Sequence, residues 1–235
     1  MSDDEVSVPE PYWTERPHSR SAPSERRFLY RGELLRFVVD AGVFSSGGLD
    51  PGTALLIENL QIDPADRVLD LGCGWGPVGV AAARSAPRGH VVLTEVNRRA
   101  ARLARQNLER NAVTNAEVRI GSFFQPVAGE RFEVIVTNPP YRLGRKSILR
   151  LLGEAPSYLA PGGRLLLVGK GSQGIRFYQE WLEQHWPGAV VVLGRGSGYR
   201  VLEARCRHSS PSDPATRTGP PKRLRRKAIS AAAPS

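Results

Sequence analysis

Thr137-Asn138-Pro139-Pro140-Tyr141 is the segment of this chain whose residue types point most directly to chemistry. Two prolines stiffen the backbone, so the Asn138 side chain and the Pro139 carbonyl point in fixed directions. Two such acceptors can hold both N–H bonds of an exocyclic amine on an aromatic ring. That amine is a poor nucleophile because its lone pair is delocalised into the ring. Held by two carbonyls, the lone pair turns out of the ring plane toward an electrophile, and the positive charge developing on nitrogen is stabilised. Tyr141 offers a ring for stacking a flat base, which must be flipped or single-stranded to enter. Asn138, Pro139 and Tyr141 are therefore the candidate catalytic residues. No strong base is needed, because the product ammonium is acidic, and orientation supplies most of the acceleration. Taken alone, the segment reads equally as a strand-ending turn.

A second signal precedes it. Val68-Leu69-Asp70-Leu71-Gly72-Cys73-Gly74-Trp75-Gly76-Pro77 carries an apolar run into three alternating glycines and then into a helix opened by proline. Glycines are required where the backbone turns sharply and where a ligand must lie against the main chain. The pattern is GxGxG behind an acid, not the GxGxxG of dinucleotide binders. S-adenosylmethionine (SAM) fits it, having no pyrophosphate but needing close backbone approach and polar groups for its amino-acid end. Asp70 is placed to serve the ammonium, and Gly72, Gly74 and Gly76 form the cofactor turn. Glu95 closes the strand Val91-Val92-Leu93-Thr94-Glu95, about 20 residues beyond the turn, where a carboxylate can take both ribose hydroxyls. Asn97 then caps a helix. Cys73 reads as a small residue under the cofactor rather than a nucleophile. Glycine turn, Glu95 and NPPY in this order and spacing specify methyl transfer to an amino nitrogen.

These residues need a scaffold, and the pattern supplies one. Strands are expected at 67–71, 90–95, 117–120, 132–137, 164–169, 189–193 and 199–205, with helices at 77–85, 97–111, 145–159 and 173–185. Such alternation implies a parallel sheet covered by helices on both faces. Gly194 to Gly198 is too short for a helical crossover, so the last strand should be antiparallel. Ahead of the sheet, a hairpin about Arg31-Gly32 spans Arg27 to Val39, a loop runs from Gly42 to Asp50, and a helix follows Pro51. Residues 1–27 form an expected disordered leader, 28–206 the domain (28–60 its hairpin and helix), and 207–235 a basic disordered tail.

Length, 235 residues, suits one well-cored domain, and 40% hydrophobic with 24% charged residues is ordinary for a soluble one. The net charge of +10 suits a polyanionic partner, though an arginine-rich composition alone would also produce it. Two cysteines without CxxC spacing, no ligand spacing among the four histidines, no long apolar run and no signal peptide argue against a disulfide framework, a metal and a membrane, and for a cytoplasmic protein. Arg142, Arg145 and Lys146 directly after NPPY, with Lys170 and Arg200 at neighbouring strand ends, are the candidate substrate-binding cations. The arginines of the 97–111 helix read as a solvated face. The run Lys222 to Lys227 is either a solvated tail or an RNA anchor.

With these motifs in view, the chain resembles the class I SAM-dependent methyltransferases of the small-subunit (16S) ribosomal RNA guanine-N2 type, over roughly Phe28 to Arg205. The narrower likeness lies in Gly42-Val43-Phe44-Ser45 with Leu49-Asp50-Pro51-Gly52-Thr53, and in Gly198-Tyr199-Arg200-Val201-Leu202. The broader one lies in the glycine turn and in Leu159-Ala160-Pro161-Gly162-Gly163. The resemblance implies a Rossmann-like α/β fold with a seven-stranded, mostly parallel sheet. It also implies that Thr53, Val96, Ser122, Phe123 and Asn138 join the cofactor site, that Phe44 faces the substrate, and that ribosomal RNA or the small subunit is the partner. The family usually has Asp at position 95, and often an acid or Asn at 122. Its best-known members carry a second, degenerate domain. Adenine-N6 or protein glutamine methylation by the same NPPY segment, and a non-catalytic RNA-binding relic of the fold, are the alternatives.

Overall fold

The computed structural model describes residue 15 and residues 20–45 and 47–207. The rest of the expected leader, and the basic tail beyond Arg207, lie outside the described residues.

Apolar strand residues alternate between two cores, and that period of two makes the sheet. The strands are β3 (Arg67–Leu71), β4 (His90–Glu95), β5 (Ala116–Ile120), β6 (Phe132–Thr137), β7 (Leu159–Lys170), β8 (Gly188–Gly196) and β9 (Tyr199–Cys206). Val68, Val91, Leu93, Val134, Val136, Leu166 and Val168 face one side. Leu69, Leu71, Val92, Ile135, Leu165 and Leu167 face the other. Both faces are therefore buried, as a parallel sheet demands. Helices α1 (Pro51–Glu58), α2 (Pro77–Ser85) and α3 (Arg98–Arg110) cover the first face through Leu56, Val80 and Leu103. Helices α4 (Arg145–Glu154) and α5 (Ile175–His185) cover the second through Leu151, Ile175 and Leu182.

Strand order is β5-β4-β3-β6-β7-β9-β8. The pairs from β5 through β7 are parallel, while β9 inserts antiparallel between β7 and β8. Ser197 and Gly198, at φ 50° and 79°, make the two-residue turn that forces the reversal. The Rossmann-like architecture expected from the sequence is present, including its antiparallel last strand.

The hairpin of β1 (Ser24–Tyr30) and β2 (Glu33–Val39) turns at Arg31 and Gly32, both at positive φ. Its first strand begins inside the expected leader, at Ser24 rather than Arg27, because Asp40 accepts Ser21 Oγ at 2.7 Å and the Ala22 N–H. Phe37 stacks on Phe28 at 4.8 Å and meets Trp75 edge-on at 5.1 Å. The free edge of β2 is closed by side chains of α3 and of Asn111, the residue that caps its C-terminus. Asn107 accepts from Val38 N at 2.7 Å and donates to Val38 O at 2.9 Å. Asn111 does the same with Arg36, at 3.0 and 2.7 Å. Two asparagines one helical turn apart thus act as a missing strand. Asn107 also donates to Trp75 O at 2.8 Å.

Two expected elements differ most in length. The 145–159 helix stops at Glu154, and a short 3-10 turn carries Ala155 to Tyr158, since Pro156 cannot continue the helical ladder. Strand β7 starts at Leu159 and runs through the Pro-Gly-Gly segment, five residues ahead of the expected start at 164. No described helix is long and apolar enough to cross a membrane.

Candidate active site

The carboxyl ends of β3, β4, β5 and β6 open onto a cavity of about 230 Å³, the position at which open α/β sheets bind ligands. Gly72 N and Cys73 N both donate to Thr94 O, at 2.9 and 3.0 Å, drawing the glycine turn across the end of β4. Gly72 and Gly74 line the cavity at φ 76° and 57°, a left-handed conformation that favours glycine. Gly76 is different. It lies outside the lining at φ 89°, and a Cβ there would stand 3.2 Å from Ala104 Cβ. Its missing Cβ lets α2 pack closely on α3.

Asp70 is buried in the cavity wall, and its Oδ2 has no partner among the described residues. An unpaired buried carboxylate oxygen is costly, and here it faces the place that the sequence reading gives to an ammonium. Burial pushes the Asp70 carboxyl up to about 7; the Gly79 N–H opposes the rise, and the charge of Glu95 adds to it. Glu95 is also raised by burial, against the backbone N–H groups of Asn97, Gly74 and Val96. Its oxygens accept Gly74 N at 2.9 Å and Asn97 N at 2.8 Å, which aims the longer Glu arm at the glycine turn. Burial, then Asp70 and Glu95, push the Cys73 thiol well above its ordinary range, which disfavours the thiolate. The described lining contains the carboxylates Asp50, Asp70 and Glu95 and no Lys, Arg or His. In a chain of net charge +10, this cavity is built for a cation.

Val96, Ser122, Phe123, Phe44 and Thr53 also line it. Phe123 holds φ 46°, a strained conformation for a bulky residue at a ligand wall. The loop bearing Phe44 is tied down from Trp75, whose Nε1 donates to Phe44 O at 3.1 Å. Asn97 Nδ2 donates to Gly42 O at 3.1 Å.

Thr137 Oγ1 donates to Leu71 O at 2.8 Å, fixing the end of β6, and hence NPPY, beside the glycine turn. Asn138 lines the cavity. Its Nδ2 donates to Thr53 Oγ1 at 2.9 Å and to Asp50 Oδ2 at 3.1 Å, so Oδ1 is the amide atom left for another group. Pro139 is buried outside the lining. Its carbonyl accepts Tyr141 N at 2.8 Å about Pro140 at φ −74°, ψ 79°, an inverse γ-turn. One lone pair of the expected second acceptor is therefore used within the turn. Pro140 and Leu143 line the cavity; Tyr141 does not. Its hydroxyl donates to Val168 O at 2.8 Å, close against Gly169, and burial pushes its pKa well above the usual value. The missing Cβ of Gly169 makes room for it.

The expected substrate-binding cations stand outside the lining. Arg142 and Lys146 are exposed, Arg145 lies 4.3 Å over the Phe177 ring, and Lys170 lies 5.6 Å over Tyr199. Arg200 donates to Gln179 Oε1 at 2.9 Å. Sequence reasoning missed Asp50 as a site residue. Asp-Pro-Gly-Thr is a helix-start pattern, but that signal reports a cap and not a cavity wall.

Comparison with known proteins fits this geometry. The methyltransferase small domain family matches residues 34–203. The uncharacterized protein YbxB of Bacillus subtilis is 31% identical across 83% of this chain and 98% of its own length. Ribosomal RNA small subunit methyltransferase C of Hahella chejuensis is 33% identical across 82% of this chain but 58% of its own length. The structure of the T. thermophilus 16S rRNA N2 methyltransferase RsmC, in complex with AdoMet and guanosine, superposes with a TM-score of 0.70 at 30% identity, covering 81% of this chain and 52% of that one. The chain thus spans little more than half the length of these ribosomal RNA methyltransferases.

Proposed function

The chain belongs to the methyltransferase small domain family, and from that premise we propose that it is a SAM-dependent methyltransferase acting on the exocyclic amino nitrogen of an RNA base, guanine N2 of small-subunit ribosomal RNA. The observation that carries the reading is the acidic cavity with Asn138 in its wall. Bound SAM supplies an electrophilic methyl group and carries a net positive charge that suits Asp70 and Glu95. Asp70 Oδ2 takes the ammonium, Glu95 the ribose hydroxyls, and Gly72 and Gly74 leave the main chain open to close approach. Ser122, Phe123, Val96 and Thr53 complete the cofactor wall.

Asn138 Oδ1 accepts one N–H of the base amine, and the remaining lone pair of the Pro139 carbonyl accepts the other. Both bonds strengthen as the nitrogen becomes positive. The Tyr141 ring stacks on the base, its hydroxyl being engaged by β7. Phe44 meets the base from the cavity wall, and Arg142, Arg145, Lys146, Lys170 and Arg200 serve the phosphates of the RNA. The test is methyl transfer from isotope-labelled SAM to small ribosomal subunits or their naked RNA, followed by nucleoside mass spectrometry. N2-methylguanosine is expected. Label in N6-methyladenosine, or in protein, would overturn the assignment.

A further inference from the structure

We infer that Asp50 is a positioning residue for methyl transfer, holding the Asn138 amide in the one orientation that offers its oxygen to the substrate. The inference rests on the reading of Asn138 as the amine acceptor and adds what makes it one.

A side-chain amide can flip, exchanging its oxygen for its NH2. Flipped, Asn138 would present N–H bonds to an N–H donor and repel it. The partners of Nδ2 prevent this. An ionised carboxylate is acceptor-only, so whatever faces Asp50 Oδ2 must donate. The Thr53 hydroxyl does so at 3.2 Å, the Thr53 backbone N–H at 2.9 Å, and Asn138 Nδ2 at 3.1 Å. With its hydrogen directed at Asp50, the Thr53 hydroxyl has only lone pairs for Asn138, and it accepts the second N–H of Nδ2 at 2.9 Å. Both amide hydrogens are thereby assigned. Donation toward a negative charge also polarises the amide, making Oδ1 a stronger acceptor for a nitrogen that becomes positive.

The other oxygen of Asp50 is held from a third direction. Tyr199 donates its hydroxyl to Oδ1 at 3.1 Å. Burial, followed by the charge of Asp50, raises the pKa of that hydroxyl, which keeps it a donor. Its ring reaches Asp50 across Gly52, where a Cβ would stand 2.5 Å from Tyr199 Cε1. A helix cap alone does not explain the carboxylate. Asn and Asp cap about equally well, but Asn at position 50 could turn its own N–H bonds toward Thr53 and Asn138.

Asp50→Asn is therefore the informative variant, because it keeps the cap and removes the acceptor-only partner. The first measurement is hydrogen exchange of the Asn138 side-chain amide in protein labelled with 15N-asparagine, the signal being assigned by its loss in Asn138→Ala. Slow exchange is expected in the native protein, and exchange at least about tenfold faster in Asp50→Asn. The second is kinetics on the methyl-accepting RNA. Asp50→Asn should lower kcat by about tenfold or more, a larger change than any it makes in KM for SAM. In an Asn138→Ala background it should change kcat by less than about twofold, because coupled residues do not act additively. Should Asp50→Asn fail to fold, Tyr199→Phe carries the test, with faster exchange and lower kcat expected and no change in either overturning the inference. So would a native Asn138 amide that exchanges like an exposed one, or independent, multiplying effects of the two substitutions. The exchange measurement needs no RNA, so it judges the Asp50 arrangement separately from the identity of the methylated base.

Discussion

Asp70 and Glu95 share one wall, and their mutual repulsion is relieved by a cation. Asp70 stands at about 7 against 3.8 for an ordinary Asp, so the folded chain keeps a proton that the unfolded chain gives up between those values. The stability from this group is complete below about pH 4 and is lost as pH rises through 7. An ammonium beside Oδ2 favours the ionised form. Binding of SAM at pH 6 is therefore expected to release about one proton, and its affinity should rise with pH toward neutrality. Calorimetry in buffers of different ionisation heat measures this directly. Asp70→Asn should abolish the release, and an unchanged proton count in that variant would take Asp70 out of the cofactor site. At Tyr141, ring and hydroxyl separate cleanly, since the hydroxyl belongs to Val168. Tyr141→Phe should lose about 1 kcal/mol of stability while keeping most of kcat. Tyr141→Ala should weaken substrate binding by roughly 1–3 kcal/mol. Paired urea denaturation and steady-state kinetics separate the two, and a Phe variant as inactive as Ala would give the hydroxyl a chemical role.

At the scale of elements, helix starts do most of the positioning. Asn97 Oδ1 accepts Arg99 N at 2.9 Å and Ala100 N at 3.0 Å, while its Nδ2 holds Gly42 O. Asn97→Ala removes cap and tether together. A loss of about 1–2 kcal/mol in urea denaturation is expected, with easier proteolysis of residues 41–50; unaltered stability would mean that the loop is held elsewhere. Strands β3, β4 and β6 and helix α2 have the bounds expected from the sequence, because each is a short periodic run between a glycine or proline and a polar turn. Strand β7 was legible only in its apolar half, since Pro161-Gly162-Gly163 reads as a loop and pairs irregularly with β6. The glycine turn, Glu95 and Asn138 were legible because each stands at the end of a short apolar strand, in a local pattern of its own. The bonds that tie Asp50 to Asn138 and Tyr199 were not legible, spanning 88 and 149 positions. No local pattern reports a contact that only the closed sheet creates. Pro139 and Tyr141 were legible as a motif but not in detail, since the γ-turn that uses the Pro139 carbonyl depends on backbone angles that two prolines permit without dictating.

At the scale of the whole molecule, the cavity differs in charge from the chain around it. The described lining holds carboxylates without a base, while Arg142, Arg145, Lys146, Lys170 and Arg200 stand outside it. The asparagine clasp between α3 and β2 has a further bearing on dynamics. Asn107 joins Val38 on the hairpin to Trp75 in the glycine turn with one side chain, so opening of the hairpin releases one side of the amide that also holds the turn. The two segments then form one cooperative unit of opening and closing, and a ligand that steadies the turn lowers the opening frequency of the hairpin. Backbone amides of Arg36 and Val38 should exchange more slowly when SAM is bound, although neither residue lines the cavity. Asn107→Ala should cut that transmission while leaving protection of Gly72 and Cys73 in place. Equal slowing of the hairpin in both proteins would show that the opening unit is held together by the aromatic stack of Phe28, Phe37 and Trp75.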